Sequence, residues 1–185
     1  MRRLRYGVAM SLDGYIAGLK GEFDWIPFDP EIDFSATYDR FDTFVMGRKT
    51  FEVTNQSHSY EGGAYPGTNI QKVVVSRTLR ASDYPGVTII NANVAEAITA
   101  LKSRPGKDIW LFGGGNLFQS LLGMGLVDCV EVAIVPVLLG AGIPFLPSLA
   151  AKASLSLESH RVYKKSGIVS LEYTVKSRSL VTCES

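Results

Sequence analysis

A chain of 185 residues, 46% hydrophobic and 20% charged, can bury the core of one domain without disulfides or metals, and its composition excludes disorder. Its formal net charge is +1 and it has no long basic run, so nucleic acid is not an expected partner: phosphate binding needs a positive face. The strongest apolar run, residues 132–139, contains Pro136 and is far too short to span a bilayer, so no membrane partner is expected.

The first five residues, with Arg2, Arg3 and Arg5, look like the charged start of a signal peptide. Asp13 interrupts the apolar stretch that should follow, and no small-residue cleavage site comes after it. Cys129 lies in an apolar run and Cys183 in a polar tail, so neither belongs to a disulfide framework. The expectation is a cytoplasmic protein: one domain over residues 1–178, with a polar tail at 179–185.

Residues 4–10 read as a first strand, ended by the turn Ser11-Leu12-Asp13-Gly14. Asp29-Pro30 is a helix-start signal, with Asp as N-cap and Pro at the first helical position; Ile32, Ser35, Tyr38 and Phe41 would then share a face. Residues 43–46 form a short strand, broken by Gly47 before a second helix near Arg48-Lys49-Thr50. Residues 55–69, rich in Gly, Ser and Asn and holding Pro66-Gly67, read as a loop. The β-branched runs at 72–76 and 87–91 are buried strands. Asn93 with Glu96 fits a capping box, and the helix it opens carries Ala97, Ile98 and Leu101 inward before stopping at Pro105-Gly106. Residues 108–112 are a strand, followed by Gly113-Gly114-Gly115 and a helix with Leu117, Leu121 and Leu122. Residues 127–135 make another strand, and 155–163 with 168–176 a hairpin turning at Lys165-Ser166-Gly167. Strands that alternate with helices imply parallel pairing, and the hairpin adds antiparallel strands at one edge.

The sharpest chemical signal is the strand, the glycine run ending in Asn116, and the helix behind it. Glycines let a ligand approach the backbone, and the free N–H groups of a helix start attract phosphate; a tight packed turn would read the same way. The run lacks the Rossmann spacing, and no Walker A sequence occurs. Gly47-Arg48-Lys49-Thr50 also follows a strand and opens a helix, and Ser76-Arg77 ends another strand. Strand ends on one side of an α/β sheet share a crevice, and an Arg there suits a phosphate monoester such as the 2′-phosphate of NADPH.

VAMSLDGYIA, FVMGRKTFE, VVVSR, LFGGGNLFQSLL and PVLLGAGIPFLPSL, in this order, resemble the dihydrofolate reductase superfamily. Within it they are most similar to the group typified by the reductase domain of the riboflavin pathway. The resemblance covers residues 4–149. It implies an α/β fold with a mixed, mostly parallel eight-stranded sheet flanked by helices, and NADPH lying across the strand ends. Carried over by residue, it implies Ala9 and Ile16 beside the nicotinamide. Gly47, Arg48, Lys49 and Thr50 would form a phosphate-binding helix start, with Ser76 and Arg77 at the adenosine 2′-phosphate. Gly113, Gly114, Gly115, Asn116, Leu117 and Phe118 would bind the pyrophosphate. It also implies a homodimer through the apolar edge near residues 130–139.

On the substrate side, the resemblance implies an acid early in the helix after the first loop. Glu31 occupies that place by spacing, with Asp33 close by, although an acid in a first helical turn is stabilising in itself. Asp13 is the polar residue of the first loop best placed to face substrate, and Trp25, Phe23 and Phe28 would roof a planar ring or simply fill the core. Asp13 and Glu31 are thus the catalytic candidates, Glu31 as proton donor or relay. Gly140-Ala141-Gly142 would make a close-approach turn near the nicotinamide or merely end a strand.

A folate enzyme of this superfamily would place Thr near Val132 and Arg near Ile70, and both are lost. A ribose-phosphate cation is absent from residues 51–56. His58 and His160 are isolated from each other and from both cysteines in sequence, so no metal site is expected. The expected activity is hydride transfer from NADPH to a small planar heterocycle. A dihydrofolate or dihydropterin reductase and a non-catalytic NADPH sensor remain open beside it.

Overall fold

The computed structural model describes residues 1–56, 70–148 and 152–176. In chain order these form β1 (Leu4–Ser11), β2 (Tyr15–Ala17), α1 (Phe34–Tyr38), β3 (Phe41–Gly47), α2 (Arg48–Gln56), β4 (Gln71–Val75), β5 (Val87–Ile90), α3 (Val94–Ser103), β6 (Asp108–Gly113), α4 (Gly115–Gly123), β7 (Cys129–Val135), β8 (Ile143–Pro144), β9 (Leu155–Val162) and β10 (Val169–Val175). Eight strands make one sheet in the order β5-β4-β3-β6-β1-β7-β10-β9. Its pairings are parallel from β5 to β7 and antiparallel at β10 with both neighbours. This is the mixed, mostly parallel sheet with a terminal hairpin that the sequence implies. Parallel pairing has a functional consequence: the carboxyl ends of β1, β3, β4, β6 and β7 open on one edge.

Alternation along the strands separates two apolar clusters. In the larger one, Leu4, Tyr6, Val45, Val73, Ile109 and Leu111 meet Ile98 and Leu101 of α3 and Phe118, Leu121 and Leu122 of α4. Tyr6 stacks on Phe118 with ring centroids 3.8 Å apart. Burial raises the pKa of the Tyr6 phenol, which stays protonated. In the smaller cluster, Phe41, Phe44, Met46 and Val74 take Phe51 from α2.

Two local expectations are corrected, and one pairing is new. The helix after the first loop does not begin at Asp29-Pro30. Asp29 instead turns the chain, its Oδ1 accepting from the Glu31 N–H at 2.8 Å and its carbonyl from Ile32, so Glu31 and Ile32 precede the helix. α1 starts at Phe34 under Asp33, whose carboxylate accepts from the Ala36 N–H at 2.9 Å. Asn93 forms no capping box: it sits in the left-handed region at φ 49° and its side chain makes no cap bond. Finally, β2 and β8 pair in a two-stranded antiparallel ladder that periodicity cannot reveal in pieces this short. The loop expected at 55–69 and the tail at 179–185 lie almost wholly outside the described residues.

Candidate active site

β3 and β6 are neighbours in the sheet, with Met46 beside Gly113, so Gly47 and the glycine run emerge side by side. Gly113 has φ +133°, a backbone region that favours glycine, and the Gly113–Gly114 peptide is cis. A Cβ on Gly113 or Gly114 would stand 3.6 Å from Oγ1 of Thr50, which places the α2 hydroxyl over the run. Gly115 is a glycine for another reason: its Cβ would fall 2.6 Å from the Pro144 carbonyl and 3.1 Å from that of Phe145. The starts of α2 and α4, two helix N-termini with their outward N–H groups, thus meet over adjacent strands.

The other residues expected at the cofactor divide. The Leu117 and Phe118 amides donate to the Gly114 carbonyl at 3.0 and 3.1 Å, and their side chains belong to the core, so both support the glycine run from behind. Asn116 is exposed. Arg48 reaches Glu52 one turn on, at 2.8 Å, while Lys49 is exposed. The Ser76 hydroxyl accepts from the Thr78 and Leu79 amides at 3.2 and 3.1 Å, which commits it to the turn after β4. Arg77 stands exposed on that turn.

Across β1 the sheet is less covered. Ala9 of β1 and its register partner Ala133 of β7 remain partly accessible although their strands are central. Small side chains on one face leave a strip there that a flat group can reach. Ala9 packs at its upper end against Val135, Tyr163 and Ile168, together with Trp25, Ile26 and Ile32. Trp25 therefore helps to wall the strip, whereas Phe28 is 65% exposed. Ile16, on β2, is half-buried.

The acids hold different positions. Asp13 is exposed, yet its carboxylate takes hydrogen bonds from Ser11 Oγ at 2.6 Å, from the Leu139 amide at 3.1 Å and from the Gly140 amide at 2.7 Å. The Ser11 bond first, then the two amides, lower its pKa, so it is ionised at neutral pH. Glu31 has an exposed side chain, and its carbonyl accepts from Arg161 at 3.3 Å. Asp33 is occupied as a helix cap.

Sequence reasoning missed two residues here. Buried Asp29 ties the segment before α1 to the hairpin turn through the Ser166 amide at 3.2 Å, and Arg161 lies over the Tyr163 ring at 4.7 Å. Neither role is signalled locally, because each residue acts across the chain. Gly142 makes the close approach expected of Gly140-Ala141-Gly142, but against the backbone of Ala17 in β2. Among the described residues no group of three or more His, Cys, Asp or Glu could hold a metal, and no helix is long and apolar enough to cross a membrane.

Comparison with known proteins agrees with this architecture. The model of the RibD C-terminal domain family matches residues 2–169. The uncharacterized protein YyaP of Bacillus subtilis is 35% identical over 179 residues, covering 93% of this chain and 94% of its own. A crystal structure ascribed to riboflavin biosynthesis in Shewanella sp. PV-4 superposes with a TM-score of 0.79 at 27% identity, covering 95% of this chain and 99% of that one. Dihydrofolate reductase of Enterococcus faecalis, in complex with NADP(H), shares the fold with a TM-score of 0.63 at 19% identity, covering 94% and 96%. The match over nearly the whole chain places this protein in the RibD C-terminal domain family, on a dihydrofolate reductase-like fold.

Proposed function

We propose that this protein is an NADPH-dependent reductase that transfers hydride to a small planar heterocycle. The observation that carries the reading is the convergence of Thr50, Gly113 and Gly114 at the adjoining starts of α2 and α4. Two helix starts, a hydroxyl and side-chain-free glycines fit a pyrophosphate, and exposed Arg77 beyond them fits a 2′-phosphate. The family match and the NADP(H)-bound structural neighbour support the same cofactor.

NADPH supplies the hydride when bound, so the chain's own residues need to bind, orient, exclude water and support a proton transfer. Ala9 and Ile16 are the residues proposed to lie beside the nicotinamide. The strip over Ala9 and Ala133, walled by Trp25, is where a flat ring would lie. Glu31, exposed and next in sequence to Ile32 of that wall, is the residue proposed to relay a proton, while Asp33 is taken up as the α1 cap. Other expected partners stay proposals: a heterocyclic substrate, and a second copy of the chain in a homodimer working in the cytoplasm.

The test follows NADPH absorbance with dihydrofolate, dihydropterins and the ribosylaminopyrimidine of riboflavin synthesis. Oxidation of NADPH with any of them supports the reductase. Tight NADPH binding without turnover of any would favour a sensor in its place.

A further inference from the structure

The loop after β1 and the segment after β7 are joined at several points. The Leu12 amide donates to the Val137 carbonyl at 2.9 Å, the Phe145 amide to the Gly14 carbonyl at 2.9 Å, and β2 pairs with β8. Asp13 lies at the centre of this seam and is its only side-chain carboxylate among the described bonds. It gathers the Leu139 and Gly140 amides from one segment and the Ser11 hydroxyl from its own. Ser11 in turn accepts from the Tyr15 amide at 2.9 Å, so the same cluster sets the entry to β2. The far end of the seam touches the glycine run: Pro144 and Phe145 are the carbonyls that leave no room for a Cβ on Gly115. A chain of direct contacts therefore runs from Asp13 through β2 and β8 to the start of α4.

We propose that Asp13 is a positioning residue: its carboxylate holds the segment after β7 against the loop after β1 and so sets the width of the cofactor cleft. This rests on the reductase reading for what the cleft holds, but not for the seam itself. The geometry argues against a proton-donating role, since three donors already point at the carboxylate. A charge-assisted bond to backbone N–H is also among the stronger local bonds available to a loop.

The experiment compares the wild type with Asp13→Ala and Asp13→Asn, the latter keeping one acceptor oxygen. Amide hydrogen exchange is read at Leu139 and Gly140 without cofactor, followed by NADPH affinity and the pH profile of NADPH oxidation. Expected are exchange faster by about tenfold or more and NADPH affinity lower by about tenfold in Asp13→Ala. Asp13→Asn should recover part of both, and the pH profile should keep its wild-type shape in each variant. Unchanged exchange at both amides would overturn the proposal, and so would a profile that loses an ionisation when Asp13 is replaced. Failure of the wild type to bind NADPH would instead overturn the cofactor reading, leaving exchange to decide on the seam.

Discussion

The indole N–H of Trp110 donates to the carbonyl of Gly7 at 2.9 Å, and the ring occupies the space a side chain at position 7 would fill. A Cβ on Gly7 would lie 2.8 Å from that nitrogen. Trp110 is fixed from its other sides by Phe41, Phe44 and Tyr38, with centroids at 4.9, 5.3 and 5.5 Å, so it cannot simply step away. Gly7→Ala should destabilise the protein by about 1–3 kcal/mol, the usual cost of overpacking. Urea unfolding followed by tryptophan emission reads both the loss and the moved indole. An unchanged midpoint would mean that Trp110 is freer than its contacts indicate.

In the proposed function, Arg77 is the residue that would choose between the two nicotinamide cofactors. A charge-assisted bond to phosphate contributes about 1.5–3 kcal/mol, so Arg77→Ala should weaken NADPH about ten- to a hundredfold and leave NADH nearly unaffected. Equal loss for both cofactors, in parallel titrations, would refute a 2′-phosphate role.

Arg5 joins three strands. Its guanidinium donates to Asp108 of β6 at 2.6 Å, Glu131 of β7 at 2.7 Å and Glu172 of β10 at 2.5 Å, with its side chain only 10% exposed. Burial alone would lower its pKa, but the three carboxylates outweigh burial and raise it. Arg40 adds a second cation on Glu131 at 2.8 Å. Arg5→Met would leave three partly buried acids with one partial counter-ion, at a cost of about 3–5 kcal/mol in chemical denaturation. A loss below about 1 kcal/mol would show that water already screens the cluster.

Asp29 gives a pH dependence with a definite sign. Its pKa is lowered by the Ser166 side chain first and then by the Glu31 amide, so the folded value lies below the unfolded one. The stabilisation it contributes is complete above the ordinary carboxylate value of about 3.9 and is lost as pH falls through the depressed value. Asp29→Asn should therefore lower stability at neutral pH and lose less on acidification than the wild type. Thermal unfolding across this acid range checks it; parallel curves for the two proteins would contradict it.

Much of the fold was legible because its signals are local. Runs such as residues 72–76 and 108–112 carry buried-strand patterns, and glycines punctuate their ends. The glycine run was legible for the same reason, although Gly115 is a glycine because of its close packing against Pro144. What was hidden depends on partners distant in sequence. Asp29-Pro30 has the form of a helix start, yet the Asp29 carboxylate is drawn to Ser166, 137 residues away. Asp13 was visible as a polar loop residue, but its attachment to Leu139 and Gly140 belongs to the tertiary structure.

The central claim is that the adjoining starts of α2 and α4 hold NADPH, and its most direct test is a titration of the protein with NADPH and NADH. Quenching of Trp110 and Trp25 emission reads binding. Saturable quenching by NADPH at lower concentration than by NADH is the predicted result; no NADPH binding up to millimolar cofactor would contradict the account.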